Sequence, residues 1–397
     1  MKHFLALLLF SLVCSSVQAQ NLPVVSPLEV GMDSRHLSRV DALVEQAIED
    51  EETPGAVLVV MRKGKIAYRK AYGMKQIHPN AQEMKATTIF DMASITKPVA
   101  TATSLMILLD RGLITLNDPI SKFIPGFRAW EDEKNRENAK ILHLLTHSAG
   151  LPSYAPVAQL SSRFGNASAD SLLHYFSTVE RHSEPGTNFM YSCPSFITLQ
   201  RIIESVTGES LHTFTQNNIF LPLGMHNTTF TPGENMMATI APTQMQEDDM
   251  MLIGNVHDPL ANILMSGISG NAGLFSSADD MAVFANMMLN NGIHDDRRIL
   301  SPAAVNKMTG IPDKLGQFGR GLGWDLNSAF SSNQGDLFGK NTYGHTGYTG
   351  TSVILDPDTD TAVILLTNRV HPNDSGSVVR LRSLIANVVA ASIIDEE

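Results

Sequence analysis

Cysteine is almost missing from this chain: Cys14 and Cys193 are the only two in 397 residues. A disulfide framework is therefore excluded, and stability has to come from packing. A surplus of positive charge is also missing. The formal net charge is −11, with no basic run, so there is no electrostatic footprint for nucleic acid and no polybasic membrane patch. No run reaches the roughly 18 apolar residues of a membrane helix. No Gly-rich phosphate loop follows a strand, and no His-Glu-x-x-His occurs. Low-complexity tracts, internal repeats and flexible linkers are absent too.

What the chain has is apolar material, 43% against 17% charged, which excludes bulk disorder and allows a large core. The first residues read as a leader. Lys2 is a positive start, and Phe4 to Cys14 is an apolar run of eleven, right for a signal h-region. Val17-Gln18-Ala19 supplies small residues for cleavage after Ala19. Residues 1–19 are therefore expected to be removed from an exported, periplasmic or secreted protein. A lipoprotein anchor at Cys14 is the rival, and bulky Val13 before it argues against that.

Periodicity divides the rest. After Asp33-Ser34, apolar residues at Leu37, Val40, Leu43, Val44, Ala47 and Ile48 keep helical spacing behind an N-cap. Val57 to Met61 and Ile66 to Tyr72 read as strands around Arg62-Lys63-Gly64-Lys65. The C-terminal end mirrors this: Thr351 to Leu355 and Thr361 to Leu366 flank Asp356-Pro357-Asp358, and Val378 to Val389 forms a closing helix. Between the ends the pattern is helix and loop, as in Ile197 to Val206 before Gly208 and in Ser277 to Leu289. The expected fold is α/β. Residues 20–89 and 305–397 build one antiparallel sheet flanked by helices, and 90–304 is a mostly helical insertion.

Ser94 and Lys97 stand at i and i+3, on one face of a first helical turn. Pro98 fits only near a helix start. Serine with an amine one turn on is a candidate activated nucleophile; a capping serine beside a solvated lysine is the plain alternative. The amine needs help. An ordinary lysine, pKa near 10.4, costs about 4.6 kcal/mol to become a free amine at pH 7, and an ordinary tyrosine costs about 4.1 to become phenolate. A buried Lys–Tyr pair can share one proton, so a tyrosine partner is sought.

At these residues the chain resembles the serine beta-lactamase and penicillin-binding-protein family, class C side, which includes esterases and D-amino-acid peptidases. Ser94-Ile95-Thr96-Lys97 resembles its S-x-x-K motif, Tyr191-Ser192-Cys193 its Y-x-N, and His345-Thr346-Gly347 its K-T-G. Tyr191 and His345 follow Ser94 by 97 and 251 residues. Leu144 to Leu151, Gly270 to Ser276 and Gly344 to Ser352 add to the likeness. The resemblance implies a beta-lactamase/transpeptidase-like fold and an acyl-enzyme on Ser94. Lys97 and Tyr191 would manage its proton. The N–H groups of Ser94 and Tyr348 would form an oxyanion hole, and His345 and Thr346 would line the substrate strand. It implies no metal or cofactor, and a small-molecule or peptide substrate.

Two departures stand out. Cys193 replaces an asparagine that contacts the substrate side chain, and a thiol offers little in its place. It reads as a buried thiol beside Tyr191, with a reactive cysteine as the alternative. His345 replaces a lysine. At pKa near 6.5 an imidazole is only about one quarter charged at pH 7, though it can still donate a hydrogen bond. Both departures lean away from anionic lactams and toward esters or uncharged amides. Arg320 or Arg369 could supply charge from elsewhere, and each reads first as structural. His143 and His147 have metal-pair spacing without the glutamate, and Asn255 to Asp258 reads as a hydrogen-bonded loop. The expected activity is ester or amide hydrolysis. A D-alanyl peptidase or weak beta-lactamase, and a non-catalytic ligand sensor, are the alternatives.

Overall fold

The computed structural model describes residues 22–157, 160, 168–247 and 249–394. The expected leader, with Cys14 and Ala19, lies outside the described residues. Among the described residues no helix is long and apolar enough to cross a membrane.

Asp33 caps a short turn, Ser34–Leu37, its Oδ1 accepting from the N–H groups of Arg35 and His36 at 2.8 and 3.2 Å. Helix α1, Val40–Glu49, follows, so the single expected helix is broken at Ser38-Arg39. Strands β1 (Gly55–Arg62), β2 (Lys65–Gln76), β3 (Gln82–Glu83) and β4 (Ile89–Asp91) come next. A π-helical segment, Lys97–Ala102, runs into α2, Thr103–Asp110. The insertion continues through α3, Cys193–Thr207, which Gly208 ends at φ 72°. Strand β5, Phe275–Ser277, leads into α4, Ala278–Leu289, where the Ser277 hydroxyl accepts the Asp280 N–H. The chain closes with β6 (Tyr343–Thr346), β7 (Ser352–Asp356), β8 (Thr361–Thr367) and α5, Val379–Ala391.

Both chain ends build one six-stranded antiparallel sheet, ordered β6-β7-β8-β1-β2-β3. Strand β1 lies beside β8 with Val59 opposite Ile364. All eight residues of β1 are buried, because both sheet faces are covered. The two-residue side-chain period then sorts the strand. Ala56, Leu58 and Val60 face α1 and α5, meeting Val44, Leu381, Ile385 and Val389. Val57, Val59 and Met61 face the other core with Met281, Phe284 and Met288 of α4. Within the insertion β4 and β5 pair, which fixes the stretch before Ser94 against the stretch after Asn271.

Leu58→Ala should lower unfolding free energy by about 2–5 kcal/mol, the range for a leucine truncated in a closed core. Urea unfolding followed by circular dichroism measures it.

Candidate active site

Ser94 sits in a tight turn, Ala93–Ile95, that opens the Lys97–Ala102 segment. The turn forces Ala93 to φ +46°, a conformation uncommon for a side-chain-bearing residue. Asp91 holds it there. Its Oδ1 accepts the Ala93 N–H at 2.8 Å and its Oδ2 accepts the His257 N–H at 2.8 Å. Burial pushes the Asp91 carboxyl above its usual range, against the pull of these two N–H groups. The Met92 N–H bonds the Leu274 carbonyl, and the Thr96 hydroxyl accepts the Leu274 N–H. Strand β6 and its following turn are strapped to the same place. Thr349 donates to the Asp91 carbonyl at 2.7 Å and Thr351 to the Met92 carbonyl at 3.1 Å. Gly347 permits this contact: a Cβ there would lie 2.6 Å from the Met92 carbonyl oxygen. Among the described residues, no hydrogen bond occupies the backbone N–H of Ser94 or of Tyr348.

Lys97 is fully buried. Its Nζ donates to Ser94 Oγ at 2.9 Å and to the Asn271 carbonyl at 2.9 Å. It also lies 5.0 Å from the centre of the Tyr191 ring. Burial pushes the amine down; negative charge on the groups around it, Cys193, Tyr191 and Asp258, pushes it up, and the sum lies above the ordinary lysine value. With the Cys193 thiol neutral, the ammonium form rests on the Tyr191 oxygen, Asp258 and its two hydrogen-bond acceptors.

Tyr191 precedes the N-terminus of α3, where the Ser192 hydroxyl accepts the Ser195 N–H. Its ring stacks on His147, with centroids 4.4 Å apart and planes 30° apart. His147 Nδ1 accepts the Ser192 N–H at 3.0 Å, so the ring is neutral with its proton on Nε2. Burial, then Arg320 and Lys97, hold its pKa well below the ordinary value. His143 is elsewhere, its Nδ1 facing the Lys140 N–H, so the two histidines do not act as a pair.

A cavity of about 430 Å³ opens over Ser94. Tyr191, His345, Thr346, Gly347 and Tyr348 line it, as does Phe330. Lys97 and Cys193 are not in its lining. Cys193 is buried in an apolar cluster with Leu172, Phe176 and Ile197, and burial pushes its thiol up. The thiol is therefore neutral.

His345 corrects two expectations. Its Nδ1 is 2.9 Å from the Thr346 carbonyl and must carry the proton, which leaves a lone pair on Nε2. The imidazole offers the ligand an acceptor, not a donor. Burial, then Arg320 and Lys97, push its pKa well below the ordinary value, so acidification toward pH 6 does not charge it. Position 345 is not the cavity's one basic position by sequence: three arginines line it, Arg320, Arg369 and Arg382, against one aspartate, Asp325. Arg369 pairs with Asp374 at 2.7 Å and stacks on the Tyr348 ring at 4.4 Å. Arg382 donates to the carbonyls of Gly347 and Thr351. Arg382, the Asn271 carbonyl and the Asp91 clamp have no spacing signal. Only Asp91, three residues before Ser94, could have been read as a turn acceptor.

The beta-lactamase family profile matches residues 40–387. The chain belongs to the beta-lactamase family. It is 31% identical to a Salmonella enteritidis protein named "Putative D-alanyl-D-alanine carboxypeptidase", over 97% of this chain and 95% of that one. Solved structures share the fold. EstCE1, a hydrolase with promiscuous acyltransferase activity, superposes with TM-score 0.72 at 23% identity, over 90% of this chain and 99% of that one. The octameric penicillin-binding protein homologue from Pyrococcus abyssi gives 0.68 at 21% identity, over 90% and 79%. The chain is a beta-lactamase-related serine hydrolase, with the antiparallel sheet and helices of that fold.

The rings of His147 and His345 should stay neutral from pH 8 to pH 6. Their imidazole NMR resonances should not move over that window.

Proposed function

We propose that Ser94 is the nucleophile of an acyl-enzyme hydrolase acting on an amide or ester. The observation that carries this is the 2.9 Å contact between Ser94 Oγ and a fully buried Lys97 ammonium beside Tyr191. An ammonium cannot accept the serine proton, so the Tyr191 oxygen, held as phenolate by the facing Lys97 charge, takes it and becomes the phenol as Oγ attacks the carbonyl carbon. The tetrahedral oxyanion is held by the N–H groups of Ser94 and Tyr348, each donor typically worth about 2.7–4 kcal/mol. Tyr191 returns the proton to the leaving nitrogen or oxygen as that bond breaks. Water then attacks the acyl-Ser94 ester by the same route and releases the acid. Neutral Cys193 takes no part. The apolar leader pattern supports action outside the cytoplasm, in the periplasm or beyond.

A narrower reading, a peptidase for D-amino-acid peptides, is favoured by the name of the Salmonella relative and by the arginines around the cavity.

A fluorophosphonate probe should add once to the intact protein, and Ser94→Ala should abolish the adduct by mass spectrometry. Labelling that persists, or that maps to Ser192, refutes the assignment. A protein that labels but turns over none of a panel of p-nitrophenyl esters is a ligand sensor instead.

Lys97→Ala and Tyr191→Phe should each lower kcat by about 100-fold or more, the lower range for acid–base groups. The double variant should lose far less than the product, because the two handle one proton. Steady-state kinetics of all three decide it.

A further inference from the structure

The sequence places Asp258 in a hydrogen-bonded loop, and the structure puts that loop behind the reacting groups. Asp258 Oδ1 accepts the Asn271 Nδ2–H at 3.2 Å and the Ala261 N–H at 2.9 Å, and its Oδ2 accepts the Tyr154 hydroxyl at 3.1 Å. Asn271 is wholly buried. Its side chain is held at both ends, because its Oδ1 accepts the Ser269 hydroxyl at 2.6 Å. The main-chain carbonyl of the same residue accepts from Lys97 Nζ at 2.9 Å. Asp258 is thus one residue removed from the lysine: it grips the side chain of the residue whose carbonyl the ammonium bonds.

The charges around these residues complete the picture. Lys97 faces Tyr191, Cys193 and Asp258, and the neutral rings of His147 and His345. Asp258 faces Lys97, Cys193, Tyr154 and Asp91, with His257 beside it in the chain. Burial pushes Cys193, Tyr154 and Asp91 up, and the Asp258 charge adds to it in all three. Asp258 is the carboxylate among the groups that favour the Lys97 charge. Tyr191 is negative for only part of the cycle, since it becomes a phenol when it takes the serine proton. A buried cation left without an opposite charge is costly, and in that interval Asp258 is the anion that faces it.

We propose that Asp258 is a positioning residue for proton transfer at Ser94: through Asn271 it fixes the carbonyl that orients Lys97 Nζ, and its carboxylate keeps Lys97 an ammonium while Tyr191 is a phenol. This rests on the acyl-enzyme reading and deepens it. The plain alternative is a turn cap, because Asp258 stands just before the Leu260–Leu264 segment and accepts the Ala261 N–H three residues on. Asparagine caps about as well as aspartate. Its amide oxygen can keep both bonds made by Oδ1 while the charge is gone. Asp258→Asn therefore separates the two roles.

The test follows p-nitrophenyl acetate hydrolysis, with Ser94→Ala as the blank. The readout is the ratio of kcat at pH 9 to kcat at pH 7. Removing a nearby negative charge favours the neutral amine, so activity is lost on the alkaline side, and in Asp258→Asn the ratio should fall at least about twofold below wild type. Asp258→Glu keeps the charge and should hold the wild-type ratio. A ratio in Asp258→Asn equal to that of wild type, or above it, overturns the proposal and leaves a cap. Should that variant fail to fold by circular dichroism, Asn271→Ala decides. It cuts the tie to Asp258 and leaves the main-chain carbonyl in place. It should slow fluorophosphonate labelling of Ser94 about tenfold, since a proton-handling group acts only when correctly placed, and unchanged labelling overturns the proposal. A wild type that neither labels nor turns over the ester refutes the acyl-enzyme reading itself. One that does both, with Asp258→Asn matching its ratio, refutes Asp258 alone.

Discussion

The buried Lys97 ammonium is the point on which the rest of the site depends. A cation removed from water needs its donors matched. Lys97 has Ser94 Oγ from its own turn and the Asn271 carbonyl from a distant loop. Tyr191 and Asp258 lie near enough to favour its charge. Those partners come from different parts of the insertion, so the lysine fixes where each must stand. The β4–β5 pair and the Thr96–Leu274 bond are the scaffold that brings the Asn271 loop to the lysine.

The same cation shapes its neighbours by repulsion. Both buried histidines near it, His147 and His345, are held neutral, with burial the larger cause and Arg320 and Lys97 adding to it. Two positive groups, Arg320 and Lys97, thus bear on both uncharged imidazoles. The histidines act as fixed hydrogen-bonding and stacking pieces, and the arginines carry the charge. A site with one charged lysine at position 345 would need a different neighbourhood, because that lysine would sit beside Arg320.

Much of the fold was legible in the sequence, for a simple reason. Short continuous apolar runs in β1 and β8 and helical spacing in α1, α3, α4 and α5 are local signals that survive into the structure. The grouping of Ser94, Lys97 and Tyr191 was legible because the three motifs keep their order and type. The break at Ser38-Arg39 was not, since the apolar spacing runs through it. Arg320 was named as a charge source, but its buried, unpaired Nε and Nη2 donors were invisible. Nothing in an isolated arginine tells whether its partners are water, a carboxylate or nothing. The Asn271 carbonyl is a backbone group and has no sequence identity at all. The His345 tautomer depends on the neighbouring Thr346 carbonyl, and so only coordinates reveal it. The expectation of a partly charged His345 missed its burial beside Arg320 and Lys97, which no spacing in the sequence shows.

The sheet joins the two ends of the chain, with Val59 beside Ile364 and Met32 bridged to Ile393. Closing a loop of about 300 residues costs roughly 5 kcal/mol in chain entropy. That cost must be met before β6 can lie against the Ser94 turn. A growing chain therefore carries Ser94, Lys97 and Tyr191 long before it has the turn that presents the Tyr348 N–H. The C-terminal strands and α5 act as a seal: the site assembles only once they are present, and a chain ended before β6 keeps its nucleophile without the turn that completes its pocket.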